Sequence, residues 1–215
     1  MTGSLAIVGD IHGDLYRLQL ALADLRVAGR RMIFVGDYIN RGPASREVVE
    51  LLAQAQQHNP DWIFLEGNHE AMLRGLRKQE TSASLFVRAG GGATVLSYVS
   101  QGDASIDAML ATIPDSHWQF FENLSLYWKS PELIVAHAGI PRSPSPWGRE
   151  DVLFGGNEWL FDGADSPAVR VAFGHYVQRD GQPFITDNVA CVDTGCGSGG
   201  PLTVLLFPEW KCVQF

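Results

Sequence analysis

"MIFVGDYINRGP", Met32 to Pro43, decides how this chain is to be folded. Met32 to Val35 has the length and apolar character of a buried strand, and the glycine that follows marks its end. Asp37, Asn40 and Arg41 then fall where the chain turns, and beyond Pro43 the residues Val48, Val49, Leu52 and Ala55 share one helical face. Strand, polar loop and amphipathic helix form one unit. The same unit precedes it, as Leu5 to Val8 and then Leu15, Leu18, Leu22 and Leu25, with Gly29 as the helix stop. It also follows, as Trp62 to Leu65 and then Ala71 to Lys78. Such alternation predicts parallel strands covered by helices.

Further along, "RAGGGATVLSYVSQGD", Arg88 to Asp103, reads as a flexible link between helices, and Ser105 to Asn123 as a helical stretch broken at Pro114. After Ser125 the chain turns strand-rich, with Leu133 to Ala136, Val171 to Phe173, Phe184 to Thr186, Val189 to Val192 and Leu202 to Phe207. "PRSPSPWG", Pro141 to Gly148, is an irregular loop. A length of 215 residues with 46% hydrophobic composition suits a single domain, residues 1–215. With no basic, apolar leader and no apolar run near the roughly 18 residues of a membrane helix, a soluble, cytoplasmic protein without a membrane partner is expected. A net charge of −8 argues against a nucleic-acid partner, which calls for a basic face. Cys191, Cys196 and Cys212 lack CxxC spacing and are expected to be reduced and structural.

Five of these strands end alike: "AIVGDIHG", "IFVGDYINRG", "IFLEGNHE", "LIVAHAG" and "VAFGHYV". Any one of the polar ends is commonly just a turn, because Gly, Asp and Asn tolerate the backbone angles. Five at strand ends are harder to explain so, since ligands of open α/β sheets bind at the carboxyl ends of strands. Asp10, His12, Asp37, Asn68, His69, His137 and His175 are therefore expected to converge, while His58 and His117 lie outside the pattern. Histidine, carboxylate and amide ligands without a thiolate suit manganese, iron or zinc better than calcium or magnesium. Asp10 and His12 would hold one divalent ion and Asn68, His137 and His175 the other, with Asp37 bridging. Two ions about 3.5–4 Å apart can share a hydroxide and clamp the oxygens of an in-line displacement at phosphorus.

In order and spacing, "GDIHG", "GDYINRG", "GNHE", "HAG" and "GH", with the later "DTG", resemble the signature of the phosphoprotein phosphatase family of metallophosphoesterases across nearly the whole chain. The small bacterial serine/threonine protein phosphatases are most similar, and the symmetrical diadenosine tetraphosphatases are similar too. The resemblance implies an α/β fold, the calcineurin-like metallophosphoesterase β-sandwich flanked by α-helices. It also implies that His69 protonates the leaving alkoxide and that Arg41 binds the phosphate oxygens with its planar fork. Asp193 would support the site rather than ligate metal. The expected activity is hydrolysis of phosphomonoesters, in phosphoproteins or small molecules, with two divalent ions, manganese foremost. A diadenosine tetraphosphatase and a weakly active phosphate-sensing module are the alternatives.

The chain departs from these relatives at several points. Asn40 stands where the family usually carries an aspartate that pairs with the histidine of GNHE, an aspartate that the diadenosine tetraphosphatases also tend to lack; an asparagine carbonyl would accept the imidazole N–H without favouring its charged form. Glu70 stands where the diadenosine tetraphosphatases usually have aspartate. Phe154 and Gly156 occupy positions at which similar bacterial phosphatases have a tryptophan and a second phosphate-binding arginine, leaving Arg142, Arg149 and Arg170 as candidate substitutes. Tyr176, where threonine is common, is expected to narrow the pocket.

Overall fold

The computed structural model describes residues 3–99, 102–162 and 166–215. Its first half is built on three strands, β1 (Leu5–Val8), β2 (Arg31–Phe34) and β3 (Ile63–Phe64), which pair in parallel in that order. Helix α1 (Leu15–Ala23) crosses from β1 to β2 and α2 (Ser45–His58) from β2 to β3. Helix α3 (Asn68–Arg77) starts three residues before the expected Ala71, so the GNHE motif forms its first turn. The expected flexible link is mostly helical. After α4 (Ala83–Phe86) comes a π-helical turn, Val87–Gly91, broken by Gly90 at φ 91°, and then α5 (Gly92–Tyr98). The reason is steric: a side chain at Gly91 would run into the Phe86 ring, so glycine lets the turn close on itself. Helices α6 (Ile106–Thr112) and α7 (Asp115–Glu122) follow, interrupted at Pro114 as expected.

In the second half β4 (Tyr127–Lys129) pairs antiparallel with β5 (Leu133–Ala136), and β6 (Arg170–Phe173) and β8 (Val189–Cys191) continue in parallel, with β7 (Phe184–Ile185) at the edge. The short α8 (Arg149–Leu153) lies between β5 and β6. The last strands return to the first sheet, β9 (Thr203–Phe207) antiparallel to β1 and β10 (Lys211–Gln214) antiparallel to β9.

The two five-stranded sheets face each other, and the period-2 alternation of side chains explains how. Leu5, Ile7, Ile33, Val35 and Leu205 of one sheet pack against Leu133, Val135, Ala172 and Ala190 of the other. Their chain neighbours Ala6, Val8, Phe34 and Val204 point outward, against Leu18 of α1, Val48, Val49 and Leu52 of α2, Leu73 of α3 and Phe120 of α7. Outside the second sheet, Ala136, Val171 and Phe173 meet Val152, Leu153 and Leu160. Strands buried on both faces read as unbroken apolar runs, which is why the central ones stand out in the sequence. No helix among the described residues is long and apolar enough to cross a membrane.

Candidate active site

The parallel strands of both sheets point the same way, so the loops after β1, β2, β3, β5 and β6 meet at one end of the sandwich. All seven residues expected to converge do so. Asp10, His12, Asp37, His69 and His137 are buried there, and Asn68 and His175 line the opening.

The backbone is bent sharply to bring them together. His12, Asp37, Asn40, Arg41 and His175 all have positive φ, between 47° and 72°. Non-glycine residues rarely adopt this conformation, and holding each there costs about 1–3 kcal/mol. Glu70 braces the part of this backbone that carries Asp37. Its buried carboxylate accepts the backbone N–H groups of Asp37 (2.9 Å), Tyr38 (2.9 Å), Ile39 (3.3 Å) and Gly67 (3.1 Å). Burial raises its pKa to about 7, with the four N–H groups pulling the other way. The motif glycines serve close approach: a Cβ at Gly67 would fall on the Asp37 carboxylate and one at Gly174 on that of Asp10.

Asp37 lies at the centre. One carboxylate oxygen accepts the His69 backbone N–H at 3.1 Å, in the first turn of α3, where the helix dipole favours negative charge. His12 Nε2 lies 3.5 Å from Asp37 Oδ2, and His137 Nε2 lies 3.5 Å from Oδ1. On the second side, Asn68 Oδ1 is 3.0 Å from both His137 Nε2 and His175 Nδ1. Asp10 approaches His12 Nε2 at 4.0 Å and accepts the His175 backbone N–H at 3.1 Å.

Two groups of these side chains could each hold a cation. His12 and His137 turn Nδ1 to the carbonyls of Ile39 (2.8 Å) and Val35 (3.0 Å), which fixes the ring proton there and leaves Nε2 free to ligate. The buried Nε2 of His12 has no hydrogen-bond partner among the described residues. Without an ion the cluster is electrostatically costly. Burial, then Asp193 and Asp37, pushes the Asp10 pKa well above the usual carboxylate range; burial, then Glu70, does the same for Asp37. Burial, followed by neighbouring rings or Arg41, pushes His12, His137 and His175 below the usual imidazole range. Divalent cations reverse both penalties. His12, Asp37 and His69 bring donor atoms together at one point, and Asp37, His137 and His175 at another, while Asp10, expected beside His12, lies 4.0 Å from its Nε2.

His69 and Arg41 complete the cleft. His69 Nε2 lies 3.7 Å from Asp37 Oδ2, and burial, then Arg41, lowers its pKa to about 3. Its Nδ1 is 2.6 Å from the side chain of Asn40, but the group presented is Nδ2, not the carbonyl expected to accept the ring proton. The half-buried Arg41 forms no ion pair with a described residue, and its charge is felt at Asp10, His12, Asp37, His69 and Asp193.

None of the arginines considered as a second clamp is free for the task. Arg142 stacks on Trp159 at 4.9 Å, Arg149 pairs with Glu66 at 2.6 Å, and Arg170 lies 4.7 Å from the Trp210 ring. Gly156 itself has φ 84°. Tyr176 lies against the His175 ring, with centroids 5.1 Å apart, and its hydroxyl accepts the Asn157 N–H at 3.0 Å beside the Gly155–Gly156 turn. Outside the site, His58 caps α2 by bonding the Gln54 carbonyl, and His117 is buried between Tyr98 (2.7 Å) and Glu50 (2.8 Å). Glu70 as a loop clamp, and Thr94 and Ser45 beside Asn40, are the residues that sequence reasoning missed.

A strand-end cluster of two carboxylates, three histidines and an amide, with an arginine and a further histidine over it, defines a metallophosphoesterase site. The pattern of the calcineurin-like phosphoesterases matches residues 3–179, and the chain belongs to that family. It is 27% identical over 235 residues to the asymmetrical bis(5'-nucleosyl)-tetraphosphatase PrpE of Anoxybacillus flavithermus, covering 97% of this chain and 92% of that protein. It is 30% identical over 207 residues to serine/threonine-protein phosphatase 1 of Salmonella typhimurium, covering 92% and 89%. Among solved structures, the protein-tyrosine phosphatase of a psychrophilic Shewanella superposes with a TM-score of 0.62 at 16% identity, covering 100% of this chain and 80% of that one, and so shares the fold.

Proposed function

We propose that the protein is a phosphomonoesterase acting on phosphoserine or phosphothreonine, with two divalent ions, manganese foremost, held by Asp10, His12, Asp37, Asn68, His137 and His175. When bound, the ions supply charge to the phosphoryl oxygens and activate a water for in-line attack. The chain's own groups do the rest. Arg41 grips the phosphoryl oxygens, and His69 presents Nε2 to the leaving oxygen. Because burial keeps that imidazole neutral, it donates a hydrogen bond where an imidazolium would hand over its proton, so turnover of alkyl phosphates should be modest.

What supports the substrate class is that, among the described residues, one guanidinium, that of Arg41, acts on five of the six proposed ligands. One phosphoryl group needs one clamp; a tetraphosphate brings several charges to a protein whose net charge is −8, against long-range repulsion. The names of the PrpE relatives favour a second reading, hydrolysis of dinucleoside tetraphosphates. Catalytic efficiencies for a phosphoserine peptide and for diadenosine tetraphosphate, compared at low and moderate salt, decide between them. The peptide should win at both; a preference of about tenfold or more for the dinucleotide would overturn the assignment.

A further inference from the structure

The segment from α4 to α5 supplies none of the metal ligands, yet it touches the catalytic loop twice. The Gly90 carbonyl accepts the Arg41 backbone N–H at 3.1 Å. Four residues on, the fully buried Thr94 meets Asn40. Its Oγ1 accepts the Asn40 backbone N–H at 2.9 Å, donates to Asn40 Oδ1 at 2.7 Å, and lies 3.0 Å from Ser45 Oγ.

A hydroxyl has one proton to give and two sites to accept. The Thr94 proton has two acceptors in reach, and the shorter contact, 2.7 Å to Asn40 Oδ1 against 3.0 Å to Ser45 Oγ, directs it to the amide oxygen, while Thr94 Oγ1 and Ser45 Oγ (3.1 Å) both accept the Asn40 backbone N–H. With Oδ1 held by Thr94, Nδ2 is the end of the amide that faces His69.

We propose that Thr94 is a positioning residue: it holds the Asn40 carboxamide with Nδ2 toward His69 Nδ1, and so keeps the imidazole proton on Nε2. A neutral imidazole has one N–H. If Nδ1 accepts from the amide, that N–H is at Nε2, the nitrogen that faces Asp37 and the reacting group. Orientation of the histidine, given to an aspartate in similar phosphatases, passes here to a hydroxyl acting through an amide. The inference rests on the phosphomonoesterase reading for its kinetic consequence but not for its structural one.

Thr94→Val removes the hydroxyl and Thr94→Ser keeps it. The valine variant should lower kcat for a phosphoserine peptide about tenfold with little change in KM, and affect 4-nitrophenyl phosphate about twofold or less, because a nitrophenolate hardly needs the donor. The serine variant should restore both. Nitrogen NMR of the full chain with magnesium at pH 8 should find the His69 proton on Nε2 in the native protein and spread over both nitrogens in Thr94→Val. Equal losses on the two substrates, failure of serine to restore activity, or an unchanged tautomer in the valine variant would each overturn the proposal. Should the valine variant not fold, a native His69 protonated on Nδ1 does so as well. A native chain that hydrolyses neither substrate defeats the functional reading alone, and the tautomer then decides for or against Thr94.

Discussion

The two walls of the cleft differ in what they retain. On the proposed metal wall, the six candidate ligands converge, His12 and His137 are oriented by backbone carbonyls, and Glu70 fastens the Asp37 loop with four N–H groups. On the proposed phosphate wall, a neutral amide faces His69, the charge of Arg41 reaches Asp10, His12 and Asp37, and the position at which similar phosphatases carry a second arginine is Gly156. On the proposed reading, the contrast separates two halves of the chemistry. Binding and activating water depends on the first wall; gripping the phosphoryl group and helping the leaving oxygen depends on the second.

Asp37→Asn strikes the metal wall at its shared ligand and should have the largest effect. Losing a bridging charge is worth several kcal/mol, so turnover should fall about a thousandfold, with fewer than two ions retained on metal analysis. A variant that keeps both ions and most activity would place the bridge elsewhere.

Glu70→Gln tests whether the wall is held from behind. The amide can accept fewer of the four N–H groups and turns donors toward the rest, so a stability loss of about 2–4 kcal/mol is expected in denaturant titration. Metal affinity should weaken with it, since the Asp37 backbone is what Glu70 holds. A stable variant with normal metal binding would make the clamp incidental.

Asn40→Asp alters the phosphate wall and should have the smallest effect. One carboxylate oxygen would still accept from Thr94, and the other would accept from His69 Nδ1, raising the imidazole pKa from about 3. A raised pKa keeps the proton on to higher pH, so the gain should grow as pH falls below neutral and fade as it rises. Phosphoserine peptides should turn over up to about tenfold faster, while 4-nitrophenyl phosphate changes little. With His69→Asn added, the gain should vanish; a gain that survives would mean that position 40 acts through the metals.

The convergence of the strand-end residues was legible in the sequence, because central parallel strands are apolar throughout and their ends carry the candidate ligands in plain view. Two of the edge strands, β4 and β10, gave no such signal. In β4, "YWK", and β10, "KCVQ", the apolar residues are few and register comes from the partner strand. The facing of two sheets was implied by family resemblance, not by periodicity. The phosphate wall was harder still. "AGGGATVLSY" has three glycines that weaken any helical pattern, yet they permit the close approach of Gly90 to Arg41 and so bring Thr94 onto Asn40. Which end of the Asn40 amide faces His69 depends on that contact, 54 residues away in sequence, and no local rule reports it.

The central claim is a complete metal wall, and titration of chelated protein with manganese, following bound metal and hydrolysis of 4-nitrophenyl phosphate together, tests it most directly. Binding should saturate at about two ions per chain, with activity rising as the second is taken up. Full activity at one ion per chain, or saturation there, would contradict it.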